Sequence, residues 1–271
     1  ARTMTNCKFT KVITGIAGNH IQSYNGNAAI NILNDEVTQE DKDKVIASAS
    51  DISIPADQEI LHRIPQYFTI DGQMGIKEPI GMAGKRLEAN VHVITCSTTA
   101  KKNLTKCIEN SFLEVDEFVL QPVASSYSVL TDEEKSLGVC LVDIGGGTTD
   151  VAIFLDNIIR HTAVIPFGGN VITQDIKTGL SILEKQADLL KIKFGSAMYT
   201  ETQENVMISI PGLRGREPKE IAVKNLSEII GARYKEIIDL VYHQIKVSGY
   251  DNKLMTGIVL TGGGAQIKNL K

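Results

Sequence analysis

The first third of the chain alternates short apolar runs with polar turns. Apolar and β-branched residues predict strands at residues 12–17 and 28–33, and Asn25 with Gly26 predicts a turn between them. Thr38, followed three residues later by an acidic residue, predicts the N-terminus of a charged helix that continues to about residue 49. This part of the chain is therefore predicted to be rich in β-structure, with one helix.

The rest of the chain groups its predicted strands and places helical patterns between the groups. Apolar and alternating runs predict strands at residues 60–64, 67–70, 86–95, 118–120, 137–144, 150–155, 158–165, 206–210 and 257–261. Helical spacing predicts helices at residues 98–112, 170–180 and 184–194, one opened by Pro122, and a long amphipathic pattern over 218–246. This grouping differs from the regular βαβα alternation of a doubly wound sheet and indicates a different α/β arrangement.

Length, charge and cysteine content narrow the class of protein. A chain of 271 residues can bury a substantial core, and two or more lobes are expected. The net charge is -4 without a cluster of Lys and Arg, so nucleic acid is not expected as a partner. The four cysteines form no CxxC pair and are expected to be reduced, and the histidines show no zinc-like spacing. No apolar run reaches the roughly 20 residues that cross a bilayer, so we expect a cytoplasmic protein.

The first candidate binding segment is VDIGGGTTDVAIF, residues 142–154, where glycines separate two apolar runs. Glycines in a turn between strands let the backbone approach a ligand closely, and successive N–H groups form an anion-binding concavity. Hydroxyl groups beside such a turn suit phosphate oxygens. The predicted phosphate contacts are Gly145, Gly146, Gly147, Thr148 and Thr149.

Asp143 precedes this loop on a strand that is expected to be buried. An unpaired carboxylate is costly there unless it serves a cation or the water that hydrates the cation. The alternative is a tight hairpin with a structural aspartate. Other phosphate loops are excluded, because the pattern GxxxxGK[ST] occurs nowhere and both glycine clusters of the chain fail the dinucleotide pattern GxGxxG.

The second glycine cluster, IVLTGGGAQI, places Gly262, Gly263 and Gly264 between a strand and a predicted helix start. A helix N-terminus carries partial positive charge that favours a bound nucleotide, although such a turn often serves packing alone. The two clusters are far apart in the chain, and each follows an apolar strand. They are predicted to form two walls of one nucleotide cleft.

These motifs resemble those of a known family. VDIGGGTTD is similar to the second phosphate loop of the actin-like ATPases, and GIVLTGGGAQI is similar to their adenosine loop. The resemblance narrows to the FtsA family of bacterial cell-division proteins through five further segments, in the order that family has them: GIAGNHIQSYN, EILHRIPQYFTIDGQMGIKEPIGMAGKRLEANVHVITC, ASSYSVLT, RHTAVIPFGGNVIT and IIGARYKEI. It covers nearly the whole chain.

The resemblance implies a two-lobed, actin-like (ribonuclease H-like) α/β fold with mixed sheets, in which an FtsA-type 1C subdomain replaces the 1B subdomain of actin. Subdomain 1C implies self-association into filaments and docking of later divisome proteins. The implied subdomains are a partial 1A at residues 1–10 and 89–135, 1C at 11–88, 2A at 136–175 and 247–271, and 2B at 176–246.

The same resemblance implies further site residues. Lys191 is the favoured adenosine contact, Asp188 stands where the family often has glutamate, and Gln266 extends the adenosine loop. Arg233 and Glu236 match the part of 2B that binds the C-terminal peptide of FtsZ, where Arg233 could pair with a peptide carboxylate through its planar fork. The helical pattern alone would make the lysine, the arginine and its neighbouring glutamate solvated helix residues.

The implied cofactors are ATP and Mg²⁺, with Asp143 reaching the metal through water. The implied function is a scaffold that polymerises, links FtsZ filaments to the inner face of the cytoplasmic membrane at the division site, and recruits later divisome proteins. The alternative is an ATP-dependent kinase or other ATPase of this fold; no general base can be assigned, so at most weak ATPase activity is expected. FtsA-like proteins also have a first phosphate loop and a C-terminal amphipathic helix, and neither pattern occurs here, so we expect weak ATP binding and no membrane attachment from this chain alone.

Overall fold

The computed structural model of the protein describes residues 9–199, 206–211 and 217–270; Cys7 and residues 1–8 of the predicted subdomain 1A lie outside them. The strands are β1 (Lys11–Ile16), β2 (Gln22–Asn31), β3 (Gln58–Ile70), β4 (Gln73–Ile76), β5 (Arg86–Ser97), β6 (Glu114–Leu120), β7 (Val139–Ile144), β8 (Thr149–Leu155), β9 (Ile158–Ile165), β10 (Met207–Ile210), β11 (Lys219–Ala222) and β12 (Ile258–Thr261). The helices are α1 (Gln39–Ala49), α2 (Thr98–Glu109), α3 (Gln121–Val129), α4 (Asp132–Leu137), α5 (Gly169–Leu180), α6 (Glu184–Phe194) and α7 (Val223–Ser248).

An antiparallel sheet of four strands in the order β2-β5-β3-β4 forms the first unit, which we call the N-terminal sheet. Helix α1 covers one face, and Val45, Leu87 and Val91 are fully buried in the core between them. The predicted helix start is confirmed, because the Thr38 hydroxyl accepts from the amide of Asp41 while the Asp41 carboxylate accepts from the amide of Thr38.

The second four-stranded sheet, which we call the central sheet, has the order β12-β7-β8-β9. Strands β7, β8 and β9 form an antiparallel meander, whereas β12 lies parallel to β7. Helices α5 and α7 pack on this sheet, and the core between them includes Val142, Val151, Ile172, Leu226 and Ile230. The remaining strands pair as two small sheets, parallel β1-β6 and antiparallel β10-β11.

Polar contacts join the N-terminal sheet to strand β9. The imidazole of His92 is hydrogen-bonded to Asn25 on one side and to Thr162 of β9 on the other, at 2.8 and 3.0 Å. Ser23 donates to the carbonyl of Thr162, and the amide of Gln66 donates to the carbonyl of Ile159. Burial lowers the pKa of His92 to about 4, so this bridging imidazole is neutral at physiological pH.

Two predictions about local structure were wrong in this N-terminal part. Asn25 and Gly26 do not form a turn, because β2 continues through them and pairs with β5 without interruption. Gly26 instead gives room for the end of α1, since a Cβ at this position would lie 1.9 Å from the carbonyl oxygen of Ala49. The two strands predicted at 60–64 and 67–70 are one strand, β3, with irregular register on both sides of Pro65.

Two further differences lie near the C-terminal end. The amphipathic pattern predicted from residue 218 begins as strand β11, and helix α7 starts only at Val223. The helix predicted after the second glycine cluster is a single 3₁₀ turn, Gly264–Gln266, in the part of the chain that the structure describes. Within the described ranges, none of the helices has both the length and the apolar character needed to cross a membrane.

Candidate functional site

The two glycine clusters lie side by side because the strands that lead into them are parallel neighbours. Asp143 of β7 pairs with Thr261 of β12, and the chain enters a glycine turn directly after each strand. Gly264 packs on Ile144, where a Cβ would lie 2.4 Å from the Ile144 side chain. Gly262 has a φ of +88°, a conformation that favours glycine. The second turn therefore requires glycine at both positions.

The first turn is held by its own backbone and by helix α5. The amide of Gly145 donates to the carbonyl of Thr148, which closes the hairpin between β7 and β8. The carbonyls of Gly145 and Gly146 accept from the first amides of α5, at Gly169 and Asn170, over 2.9 and 2.7 Å. For the amides of Gly146 and Gly147, the described residues supply no backbone acceptor. These two donors remain available to an anion.

A cavity of about 350 Å³ lies between the two turns, the start of α5 and helix α6. Six of the predicted nucleotide residues line it: Gly145, Gly146, Lys191, Gly263, Gly264 and Gln266. The other six predicted residues lie next to these without lining the cavity: Asp143, Gly147, Thr148, Thr149, Asp188 and Gly262.

Lys191 brings a positive charge to the cavity wall. Its ammonium group donates to the carbonyl of Gly169 at 3.0 Å and to the hydroxyl of Thr173 at 2.6 Å. It also forms an ion pair with Asp188 at 2.9 Å, and the hydrogen bond from Lys191 lowers the pKa of the Asp188 carboxyl. Asp188 therefore orients the lysine from outside the cavity. Helix α6 is thus tied to the start of α5.

The hydroxyl groups of the two predicted threonines are already engaged. Thr149 is fully buried and donates to the carbonyl of Phe167 at 2.8 Å, so it joins β8 to the segment before α5. Thr148 donates to the carboxylate of Asp150 at 3.2 Å and lines a separate cavity of about 400 Å³ beside Gly18.

Two carboxylates face each other across β7 and β8. Asp143 pairs with Asp150 in the ladder and accepts a hydrogen bond from Ser125 at 2.9 Å. Asp150 is buried, and its Oδ1 has no hydrogen-bond partner among the described residues. Burial raises the pKa of Asp150 to about 6. An orphaned buried oxygen beside a second carboxylate is a donor set that fits an oxygen-ligated cation such as Mg²⁺.

Sequence reasoning missed Asp150, Gly169, Asn170 and Tyr234 as parts of this site. Asp150 ends the motif VDIGGGTTD, and its place there was the available signal. Gly169 and Asn170 line the cavity, and the glycine pair in FGGN could have indicated them. Tyr234 donates its hydroxyl to the carbonyl of Gly264 at 2.6 Å, and burial raises its pKa to about 12. Only the fold brings this α7 residue to the second turn.

Arg233 lies one position before Tyr234 on α7 but does not line the cavity. Its guanidinium group binds the carboxylate of Asp175 through two hydrogen bonds of 2.6 and 3.0 Å, and it also contacts Glu236. The hydrogen bond with Asp175 is the main reason why the pKa of Arg233 is raised. Glu236, the second predicted peptide contact, is half exposed. An incoming carboxylate would therefore meet a guanidinium that is already paired within the chain.

Comparison with known families settles the class of protein. A family model described as "SHS2 domain inserted in FTSA" matches residues 18–95, and one described as "Cell division protein FtsA" matches residues 140–271. The chain is 44% identical over 268 residues to the cell division protein FtsA of Pseudomonas aeruginosa and 46% identical over 264 residues to that of Neisseria meningitidis, covering 99% and 97% of this chain. It belongs to the FtsA family. The family resemblance predicted from the motifs is confirmed.

The chain spans 64% of the length of these two FtsA relatives. Among solved structures, it is similar to the PilM-PilN type IV pilus biogenesis complex, with a TM-score of 0.62, 13% identity, and coverage of 99% of this chain and 67% of that one. It is also similar to MreB5 of Spiroplasma citri bound to ADP, with a TM-score of 0.53, 23% identity, and coverage of 64% and 56%. These similarities confirm the predicted actin-like α/β fold of the chain. Its division into subdomains, including 1C, stays a prediction.

Proposed function

We propose that this FtsA chain binds ATP in the cavity between its two glycine turns and serves as part of a cell-division scaffold. The observation that carries the proposal is the side-by-side placement of the turns at the ends of β7 and β12, with Lys191 in the same cavity. Free backbone amides, a lysine and close backbone approach together suit a polyphosphate. The similar MreB5 structure is bound to ADP, which supports a nucleotide as the ligand.

Within this proposal, the amides of Gly146 and Gly147 bind phosphate oxygens, and Gly263, Gly264 and Gln266 face the adenosine. Asp143 and Asp150 would hold Mg²⁺, and the ion would supply charge neutralisation on the phosphates. The buried, unpartnered Oδ1 of Asp150 supports this assignment. Lys191, which is held by Asp188 and Thr173, would contact the adenosine.

The proposed role of the whole protein is structural. ATP binding accompanies self-association into filaments, Arg233 and Glu236 bind the C-terminal peptide of FtsZ, and later divisome proteins dock on subdomain 1C. The scaffold thereby links FtsZ to the inner face of the cytoplasmic membrane at the division site, with membrane attachment provided by a C-terminal amphipathic helix. The family membership and the actin-like fold support this role.

A calorimetric titration with an FtsZ C-terminal peptide tests the scaffold role, with Arg233→Glu as the variant and Lys235→Glu as the matched control. Lys235 is an exposed neighbour of Arg233 on α7, and the Asp175 ion pair is formed by Arg233. We expect Arg233→Glu to weaken peptide binding at least tenfold and Lys235→Glu to leave it within about twofold. Equal binding by all three proteins would contradict the proposed peptide site. Phosphorylation of a sugar by the chain with ATP, without peptide binding, would favour the kinase alternative.

A further inference from the structure

A cavity of about 570 Å³ lies where β3, β6, α3, α4 and the β8–β9 hairpin meet. It shares no lining residue with the cavity between the two glycine turns. Its walls are mostly apolar and include Ile64, Val119, Val123, Phe154 and Ile159. A cavity of this volume, with apolar walls and a few polar groups, has the character of a small-molecule site.

Lys135, on α4, is the polar group in this cavity that the fold leaves without a partner. The residue lines the cavity, and only 8% of its surface is exposed. Its ammonium group has neither an ion pair nor a hydrogen bond with any residue that the structure describes. A buried charge is costly unless it is paired. The cavity therefore contains a buried cation that lacks an anionic partner.

Two aromatic rings hold this ammonium group at the cavity wall. It lies 4.8 Å from the centre of the Tyr127 ring and 5.9 Å from that of Phe154, and both rings line the cavity. Cation–π attraction stabilises the charge in part, but it leaves the N–H donors of the lysine unused. Because Tyr127 is exposed and Phe154 is buried, the lysine lies between the rim of the cavity and its apolar interior.

The remaining polar groups restrict the kind of anion that the cavity suits. Nε2 of His62 accepts a hydrogen bond from the amide of Leu120 at 3.0 Å, so the neutral ring carries its proton on Nδ1. Burial lowers the pKa of His62, so this ring adds no positive charge at neutral pH. Glu117 and Asp132 also line the cavity, are exposed, and would repel a ligand with several negative charges. Lys135 therefore suits a ligand with a single negative charge.

We propose that this cavity binds a small monocarboxylate with an apolar body. The carboxylate pairs with Lys135 and accepts its unused N–H donors, and the body packs on the apolar walls. A phosphate ester suits the cavity less well, because its second negative charge would face the two exposed carboxylates. The ligand would contact the N-terminal sheet at Ile64 and the central sheet at Ile159, so it would stabilise the junction between the two sheets.

A titration of the 271-residue chain with octanoate, without nucleotide and followed by methyl NMR, tests the proposal. Octanoate should bind with a Kd of about 1 mM or tighter, and octanamide, which has the same alkyl chain without the charge, about tenfold more weakly. The methyl signals of Val123 and Ile159 should shift on binding. Those of Ile172, in the core between α5 and the central sheet, should not.

Lys135→Met tests the ion pair. The variant should bind octanoate about tenfold more weakly than the wild type and octanamide with unchanged affinity, because only the charge is lost. The unchanged octanamide affinity shows that the cavity is intact, and thermal unfolding checks the fold. Lys246→Met is the matched control, because the Lys246 ammonium also lies over a tyrosine ring, Tyr242 at 4.6 Å, but the residue is exposed on α7. Its octanoate affinity should stay within about twofold of the wild type.

Four results would overturn the proposal. The first is no octanoate binding up to about 10 mM, and the second is equal affinity for octanoate and octanamide in the wild type. The third is a Lys135→Met variant that keeps the preference for octanoate or loses affinity for both compounds equally. The fourth is a set of shifted methyl signals that excludes Val123 and Ile159.

Discussion

Gly262 lies directly against the carboxylate of Asp143, where a Cβ would be 2.4 Å from Oδ1 and 2.5 Å from the carbonyl oxygen of Ile144. The two glycine turns therefore meet at the Asp143 carboxylate and at Ile144, with the glycine backbone in direct contact with both. Because this contact sets the distance between the turns, it also sets the width of the cavity.

Gly262→Ala should damage both the fold and nucleotide binding. The Cβ overlaps Asp143 and Ile144, and the φ of +88° is unfavourable for alanine, so we expect a loss of about 2 kcal/mol in the free energy of unfolding. ATP affinity, measured by calorimetry in Mg²⁺, should fall at least tenfold. Gly257→Ala is the matched control, because Gly257 also has a positive φ, +75°, but nothing lies within 4 Å of a Cβ there and it does not line the cavity. If both alanines behave alike, the close contact with Asp143 does not control the cavity.

Lys191→Met should weaken ATP binding by about tenfold while leaving the fold intact. The methionine keeps most of the apolar length of the side chain but removes the charge at the cavity wall, along with its hydrogen bonds to Gly169 and Thr173. The control is Lys193→Met, on the exposed side of the same helix. Calorimetric ATP titrations of the three proteins, with thermal unfolding as a check of stability, provide the measurement. An unchanged affinity in Lys191→Met would remove this lysine from the proposed site.

Asp150 should make the stability of the ligand-free protein fall as pH rises. Burial raises its folded-state pKa to about 6 from the ordinary 3.8, so the native state holds a proton that the unfolded state has already released. Between about pH 4 and pH 6 this group should therefore reduce the free energy of unfolding, by up to about 3 kcal/mol. Below pH 4 both states are protonated and the effect is absent.

Asp150→Asn should remove this pH dependence. Denaturant unfolding from pH 4 to 7 should show that the variant gains stability relative to the wild type as pH rises. His92, whose pKa is lowered to about 4, acts in the opposite direction in both proteins and cancels in the comparison. Asp116→Asn is the control, because Asp116 is exposed on β6. Parallel pH curves for wild type and Asp150→Asn would show that the buried carboxyl does not titrate in this range.

Local sequence patterns predicted most of the strands and helices. They did not predict correctly where strands are interrupted. The meander of β7, β8 and β9 and the helices α5 and α6 follow from apolar periodicity, and their bounds agree with the prediction to within about two residues. The turn predicted at Asn25 and Gly26 failed because tertiary packing against Ala49, rather than a turn, requires the glycine. Propensity cannot distinguish these two uses of glycine without the position of α1.

The candidate site was predictable where it depended on contiguous residues. The glycine clusters could be recognised from their motifs, and a common cleft could be inferred from them. The contacts of Asp175 with Arg233 and of Tyr234 with Gly264 join segments far apart in the chain, so they depend on how α7 packs across α5 and the central sheet. No spacing rule connects such residues. The burial of Asp150 is likewise a property of the assembled sheet.

Strand β9 serves two regions of the molecule at once. Its middle is clamped by Gln66 and His92 of the N-terminal sheet, and the chain that leaves its end passes Phe167 to reach Gly169 at the cavity wall. Strand β9 therefore supports both the cavity wall and the N-terminal sheet. A variant that loosens the His92 clamp can alter ligand affinity from a distance, so mutagenesis of either region is interpretable only when the other is monitored.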